Sequence, residues 1–200
     1  MSSARPQAPT PCAPTVTVAD AQQDMRNAFH GGATGVLASA AVWFVAGVVA
    51  TVSSPGNAVW ALLVGGMMIH PAAVLLARAL GRPGTPAPGN PLAALALEGT
   101  FFFLLAIPLA YAISRYRVEW FFPAMLLLIG GRYLTFATLY GMRVYWACGA
   151  TLALAGFLVA FAEAPVSVGA FAGAVVELGF AAVVLVSARR GGLASARYAA

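Results

Sequence analysis

The sequence predicts an all-α membrane protein, a six-transmembrane-helix bundle preceded by a short N-terminal amphipathic helix. Three observations predict it. Of 200 residues, 61% are hydrophobic and 8% charged, with a mean hydropathy of +0.85, whereas soluble domains run about half apolar and a quarter charged. Six apolar stretches are each long enough to cross a hydrocarbon core, which takes about 20 helical residues. Most of the connections between them are short, so successive helices must run antiparallel. So little charge cannot cover a water-facing surface. That excludes a soluble enzyme, a disordered protein and, despite a net charge of +5, a nucleic-acid binder. The charge comes from arginine alone, placed singly or in pairs rather than clustered on one solvated face. Arginine, alanine, glycine and proline without lysine also suit a GC-rich bacterial genome.

Residues 1–15, MSSARPQAPTPCAPT, contain no apolar run and are expected to form a disordered tail. Nothing resembling a secretory h-region precedes residue 31, so the amino terminus is expected to be retained. Cys12 and Cys148 make neither a disulfide framework nor a metal spacing. Residues 16–30 place Val18, Ala21, Met25, Ala28 and Phe29 at three- and four-residue spacing opposite Gln22, Asp24, Arg26 and Asn27. Thr17 with Asp20, or Asp20 with Gln23, offers a capping box. Such a helix would lie along the cytoplasmic interface; the alternative is an ordinary lead-in turn to the first span.

The spans are expected near 31–53, 57–79, 92–113, 118–140, 144–163 and 166–188, followed by a basic cytoplasmic tail, 189–200. Ser54-Pro55-Gly56-Asn57 reads as a turn ending in an N-cap at Asn57. The longest loop runs from Gly81 to Pro91, with Asn90 as N-cap and Pro91 at the first helical position. Gly141 offers a C-cap, and Pro165 suits the start of the last helix. Six spans put both termini on one side, which collects Arg5, Arg26, Arg78, Arg82, Arg143, Arg189, Arg190 and Arg197 against Arg115 and Arg117 opposite. The positive-inside rule then makes both termini cytoplasmic in a bacterial inner membrane. On this topology Tyr111, Tyr116, Trp120, Phe121 and Trp60 form an outer aromatic belt, and Tyr140, Tyr145 and Trp146 an inner one.

Four ionisable residues fall inside spans, where each marks a candidate functional site because its burial is costly: His70, Glu98, Arg132 and Glu177. At the helical rise they lie roughly 13, 9, 12 and 16 Å from the cytoplasmic ends of their spans, so one cluster is allowed. Arg132 keeps its proton and needs a counter-charge. Glu98 matches it best in depth, and Glu177 is the second candidate. The functional reading is a polar cavity in which Arg132 binds an anionic group and Glu98 or His70 carries a proton, with Glu177 as a further carboxylate. The alternative is an interhelical ion pair that fixes packing. Gly65 and Gly66 ahead of His70-Pro71 suggest a flexible or broken point, because an internal proline removes a backbone hydrogen bond, and make Gly65, Gly66 and Pro71 hinge candidates. Gly169, Gly173 and Glu177 form a small-residue stripe that suits close packing inside the bundle or against a second copy of the chain.

No nucleophile motif, metal-ligand cluster or phosphate loop occurs, so no catalytic residue, metal or cofactor is expected. The stretches GGMMIHPAAVLLARALGR, NPLAALALEGT and GGRYLTFATLYGMRVYW resemble a family of small bacterial inner-membrane proteins of unknown function, over most of residues 20 to 160. That resemblance implies no activity. The function expected from the residues is binding or passage of a small solute, anionic or proton-coupled, with the lipid bilayer as surroundings. The competing reading is a membrane scaffold or accessory subunit whose buried polar groups are structural.

Overall fold

The computed structural model describes residues 17–198, with side chains for 17–188. The expected tail at 1–15 and the side chains of the basic C-terminal segment lie outside the described residues. Seven α-helices follow in order: α1 Val18–Phe29, α2 Ala33–Val52, α3 Pro55–Ala79, α4 Pro91–Tyr116, α5 Phe121–Tyr140, α6 Val144–Phe161 and α7 Val166–Tyr198. No strand occurs among the described residues. Six stretches, ending in α2 to α7, are long and apolar enough to cross a membrane.

Local chemistry sets the helix ends. Thr17 and Asp20 form the capping box of α1: the Thr17 hydroxyl oxygen accepts from the Asp20 amide at 3.2 Å, and the Asp20 carboxylate accepts from the Thr17 amide at 3.2 Å. The Thr17 hydroxyl donates to the Asp20 carboxylate at 2.6 Å, and this bond, with the one from the Thr17 amide, holds the Asp20 carboxyl below its ordinary range. Ser54, not Asn57, caps α3, because Pro55 already occupies the first helical position and the Asn57 amide donates back to Ser54 Oγ at 3.2 Å. Asn90 caps α4 ahead of Pro91, and Gly141 ends α5 with φ +62°. The backbone of α7 continues to Tyr198, ten residues past the expected end at 188, since no proline interrupts it.

In space the helices form a curled row in the order α3, α2, α7, α6, α5, α4. Consecutive spans are neighbours except at one place: α3 and α4 stand at the two ends of the row and share little contact. The bundle is therefore a ring left open between α3 and α4. Its core contains Trp43, Phe122, Leu126 and Leu152, all fully buried. Glycines bring the main pairs together: the Gly130 and Gly149 backbones meet across α5 and α6, and Gly173 on α7 lies under the Trp43 ring on α2.

The aromatic belts are only partly realised. Phe121, Tyr140 and Tyr145 are 0%, 7% and 0% exposed and belong to the core. Tyr145 stacks on Tyr133 at 6.0 Å and donates its hydroxyl to the Gly31 carbonyl at 2.6 Å, contacts that a rim position would not supply. Trp60, Tyr116, Trp120 and Trp146 are exposed. Between the first two helices, His30, Gly31 and Gly32 all take positive φ and turn the chain from α1 into α2. A Cβ on Gly32 would strike the Tyr145 hydroxyl and the Tyr140 ring, so only glycine fits there.

Candidate functional site

The opening between α3 and α4 is a cavity of about 480 Å³. Its back wall is α2 and α5, and its sides are α3 and α4. Helix α1 and the 80–90 loop close one end, through Met25, Phe29 and Pro86. That cover is tied down. Asp24 accepts from the Ala87 amide at 2.9 Å and from Asn90 Nδ2 at 2.6 Å, and the Ala28 carbonyl accepts from the Gly84 amide at 3.1 Å. On the opposite side Gln22 donates to the Thr138 carbonyl at 2.8 Å, and Arg26 donates to the carbonyl of Tyr140.

Most lining side chains are apolar, and the polar exceptions are few. Arg132, on α5, donates from Nη2 to Thr100 Oγ1 at 3.0 Å and reaches the Gly99 carbonyl at 3.4 Å from Nη1. Its guanidinium lies 5.4 Å from the centroid of the Phe103 ring and 5.5 Å from that of Phe136. Among the described residues no carboxylate pairs with it; the ion pair found there is Arg117–Glu163 at 3.1 Å, exposed at the far end of the bundle. His70 sits on the α3 side of the cavity, exposed at its lip. Thr100, Arg132 and His70 each lie roughly 12–14 Å along their helices from the covered end.

Behind this wall lies a second polar group. Glu177 on α7 is fully buried, and its Oε1 accepts from the Tyr133 hydroxyl at 3.0 Å. The Ser39 side chain approaches the same carboxyl group, while Oε2 keeps no hydrogen bond among the described residues. Tyr133 and Ser39 both also line the cavity. They are the two side chains that face the occupant space on one side and the buried carboxyl on the other.

The four ionisable candidates are thus distributed unevenly. His70 and Arg132 share the cavity, and Glu177 adjoins it through Tyr133 and Ser39. Glu98 does not take part: it is exposed and has no ion pair or hydrogen bond among the described residues. It lies two residues from Thr100, which at 100° per residue puts it on the opposite side of α4 from the cavity. Thr100, Tyr133 and Ser39 are the participants that sequence reading missed, because hydroxyls are common in membrane helices and carry no signal of their own.

The hinge candidates also resolve differently. Helix α3 runs unbroken through Gly65, Gly66 and Pro71. Gly65 is a packing position, since a Cβ there would come within 2.6 Å of Val42 on α2, and Gly66 lines the cavity. The stripe on α7 is occupied within the chain: Gly169 lies under Phe122 and Gly173 under Trp43. A second copy would have to use another face, because these two glycines are already covered.

No curated protein and no solved structure matches the chain. The model of a family of unknown function, DUF7010, matches residues 18–187, from the start of α1 into α7, and the chain belongs to that family.

Proposed function

We propose that the protein binds a small anionic solute in the cavity between α3 and α4, with Glu177 as the group that carries an accompanying proton. The observation that carries this reading is the state of Arg132. Its guanidinium stays charged, yet its neighbours are a hydroxyl, a carbonyl and two aromatic faces. A half-buried cation without a counter-charge is costly at this depth in an apolar bundle, and an anionic guest would supply the missing charge. Tyr133 and Ser39 touch both cavity and carboxyl, so a guest and a proton would share two neighbours.

The test is thermal unfolding of the purified protein against phosphate, sulfate, carboxylates and amines at several pH values. Anions should raise the midpoint, by about 2.7 kcal/mol of stabilisation at a hundredfold excess over Kd. Amines should not. Arg132→Gln, if folded, should abolish the response. A wild type indifferent to every anion, or a variant that responds equally, would remove the proposal.

A scaffold or accessory role is the second reading, and one observation favours it: Glu177 sits in the contact of α2, α5 and α7, where a hydrogen-bonded carboxyl also fixes packing. In that case Glu177→Gln should change stability and no ligand response should exist to be lost. Glu98→Gln does not separate the two readings, because Glu98 has no partner among the described residues to lose.

A further inference from the structure

The cavity differs from a water-filled binding site in two respects. Its end near the α3–α4 loop is covered by α1 and the 80–90 loop, both held by hydrogen bonds. Its side between α3 and α4 is open at the depth of the apolar helices, where the two helices barely touch. The lip of that opening carries His70 on α3 and, on α4, Leu97 and Leu104, 58% and 50% exposed, and the surfaces beside it carry Met67, Phe101 and Leu105. A guest passing between α3 and α4 would therefore arrive from the acyl chains rather than from water.

The lining sorts itself in the same way. One cation, Arg132, stands with Thr100 on the wall, and apart from Ser39, His70, Tyr133 and Tyr140 the other lining side chains are apolar, Phe103, Phe136, Ile129 and Leu104 among them. A bare inorganic anion would satisfy the guanidinium but leave the rest of the cavity without a partner. A neutral hydrocarbon would fill the cavity but leave the cation uncompensated. The volume, about 480 Å³, is within the roughly 300–1,000 Å³ of ordinary small-molecule sites.

We propose that the guest is an amphiphile drawn sideways from the bilayer, with one oxyanion headgroup, carboxylate or phosphate, against Arg132 and Thr100 and an alkyl or ring body against Phe103, Leu104 and Ile69. This rests on the reading of Arg132 as an anion site and names the substrate class of that site.

The experiment uses the full chain in phosphatidylcholine nanodiscs and measures binding of four probes by the shift in unfolding midpoint: dodecyl phosphate, dodecanol, dodecyltrimethylammonium and inorganic phosphate. Dodecyl phosphate should saturate and bind about tenfold or more tightly than dodecanol or inorganic phosphate, and the cationic amphiphile should not bind. Arg132→Gln should bring dodecyl phosphate down to the level of dodecanol. Leu104→Trp, which narrows the space for the alkyl body, should weaken dodecyl phosphate by a similar factor. Inorganic phosphate binding as well as dodecyl phosphate, with loss in Arg132→Gln, would overturn the amphiphile and leave the anion site standing. Dodecanol equal to dodecyl phosphate in wild type would overturn both. Undiminished binding in a folded Leu104→Trp would overturn the seating of the alkyl body against Phe103, Leu104 and Ile69.

Discussion

Arg132 and Glu98 lie at matching depth in adjacent spans, and depth is what hydropathy reports. Their pairing fails on azimuth: Glu98 and Thr100 are about 200° apart around α4, and it is Thr100 that meets the guanidinium. Span boundaries place a residue along a helix axis, whereas the direction it faces depends on which neighbour the helix packs against. Glu177 shows the same limit from the other side. Its stripe of small residues was legible as a packing face, but the Tyr133 hydroxyl that meets it comes from α5, 44 residues away. Tyr133→Phe should take the hydroxyl donor from Oε1 and leave Ser39 as the hydroxyl beside the buried carboxyl, at a cost of about 1–3 kcal/mol of stability. Glu177→Leu should cost a comparable amount by stranding the hydroxyl, and the double variant should recover part of it, since removing both partners avoids an unpaired polar group. Unfolding midpoints of the three proteins measure this; two additive losses would show that the pair does not interact.

Helix ends were read most reliably, because a cap is decided by residues within a few positions of each other. The Thr17–Asp20 box, Asn90-Pro91 and Gly141 all follow from local chemistry. Ser54 displaced Asn57 as a cap for an equally local reason, the proline between them. Contacts between elements needed the fold. Gly130 and Gly149 look like ordinary membrane glycines in the sequence, yet each would drive a Cβ into the other helix's backbone, at 2.8 Å from the Gly149 carbonyl oxygen and 2.5 Å from the Gly130 carbonyl oxygen. Backbone cannot swing aside as a side chain can, so α5 and α6 would have to separate. Gly130→Ala or Gly149→Ala should lower stability by about 1–3 kcal/mol, as overpacking does, whereas Gly131→Ala, with open space around its Cβ position, should be neutral or mildly stabilising. Thermal unfolding in one detergent compares all three, and an unchanged Gly130→Ala would contradict the close approach.

Over the whole molecule, six spans place both ends of the membrane domain on one side, with α1 and the 80–90 loop beside each other there. The arginine distribution gives that side its expected identity as cytoplasmic. In spheroplasts, a membrane-impermeant thiol reagent should label Ser54→Cys, in the α2–α3 turn, and spare Thr85→Cys, in the covering loop, until the membrane is permeabilised. Cys148 is buried and should stay unlabelled, and Cys12 would be replaced by serine in both. The reverse pattern would invert the topology and put the cavity's closed end outside.

What the sequence determined by itself is whatever depends on composition and on neighbours along the chain. This includes the membrane as solvent, the number of crossings, most of the helix ends, the family, and the presence of ionisable groups too deep to be incidental. The tertiary structure alone decided that the ring of helices opens between α3 and α4, that Arg132 faces that opening beside Thr100, and that Tyr133 and Ser39 separate it from Glu177. The reason is physical. In a bilayer, hydrocarbon is available to every apolar face, so a hydrophobic pattern does not say which face meets protein and which meets lipid. That choice rests on side-chain shape at contacts such as Trp43 over Gly173, and a linear pattern does not record it.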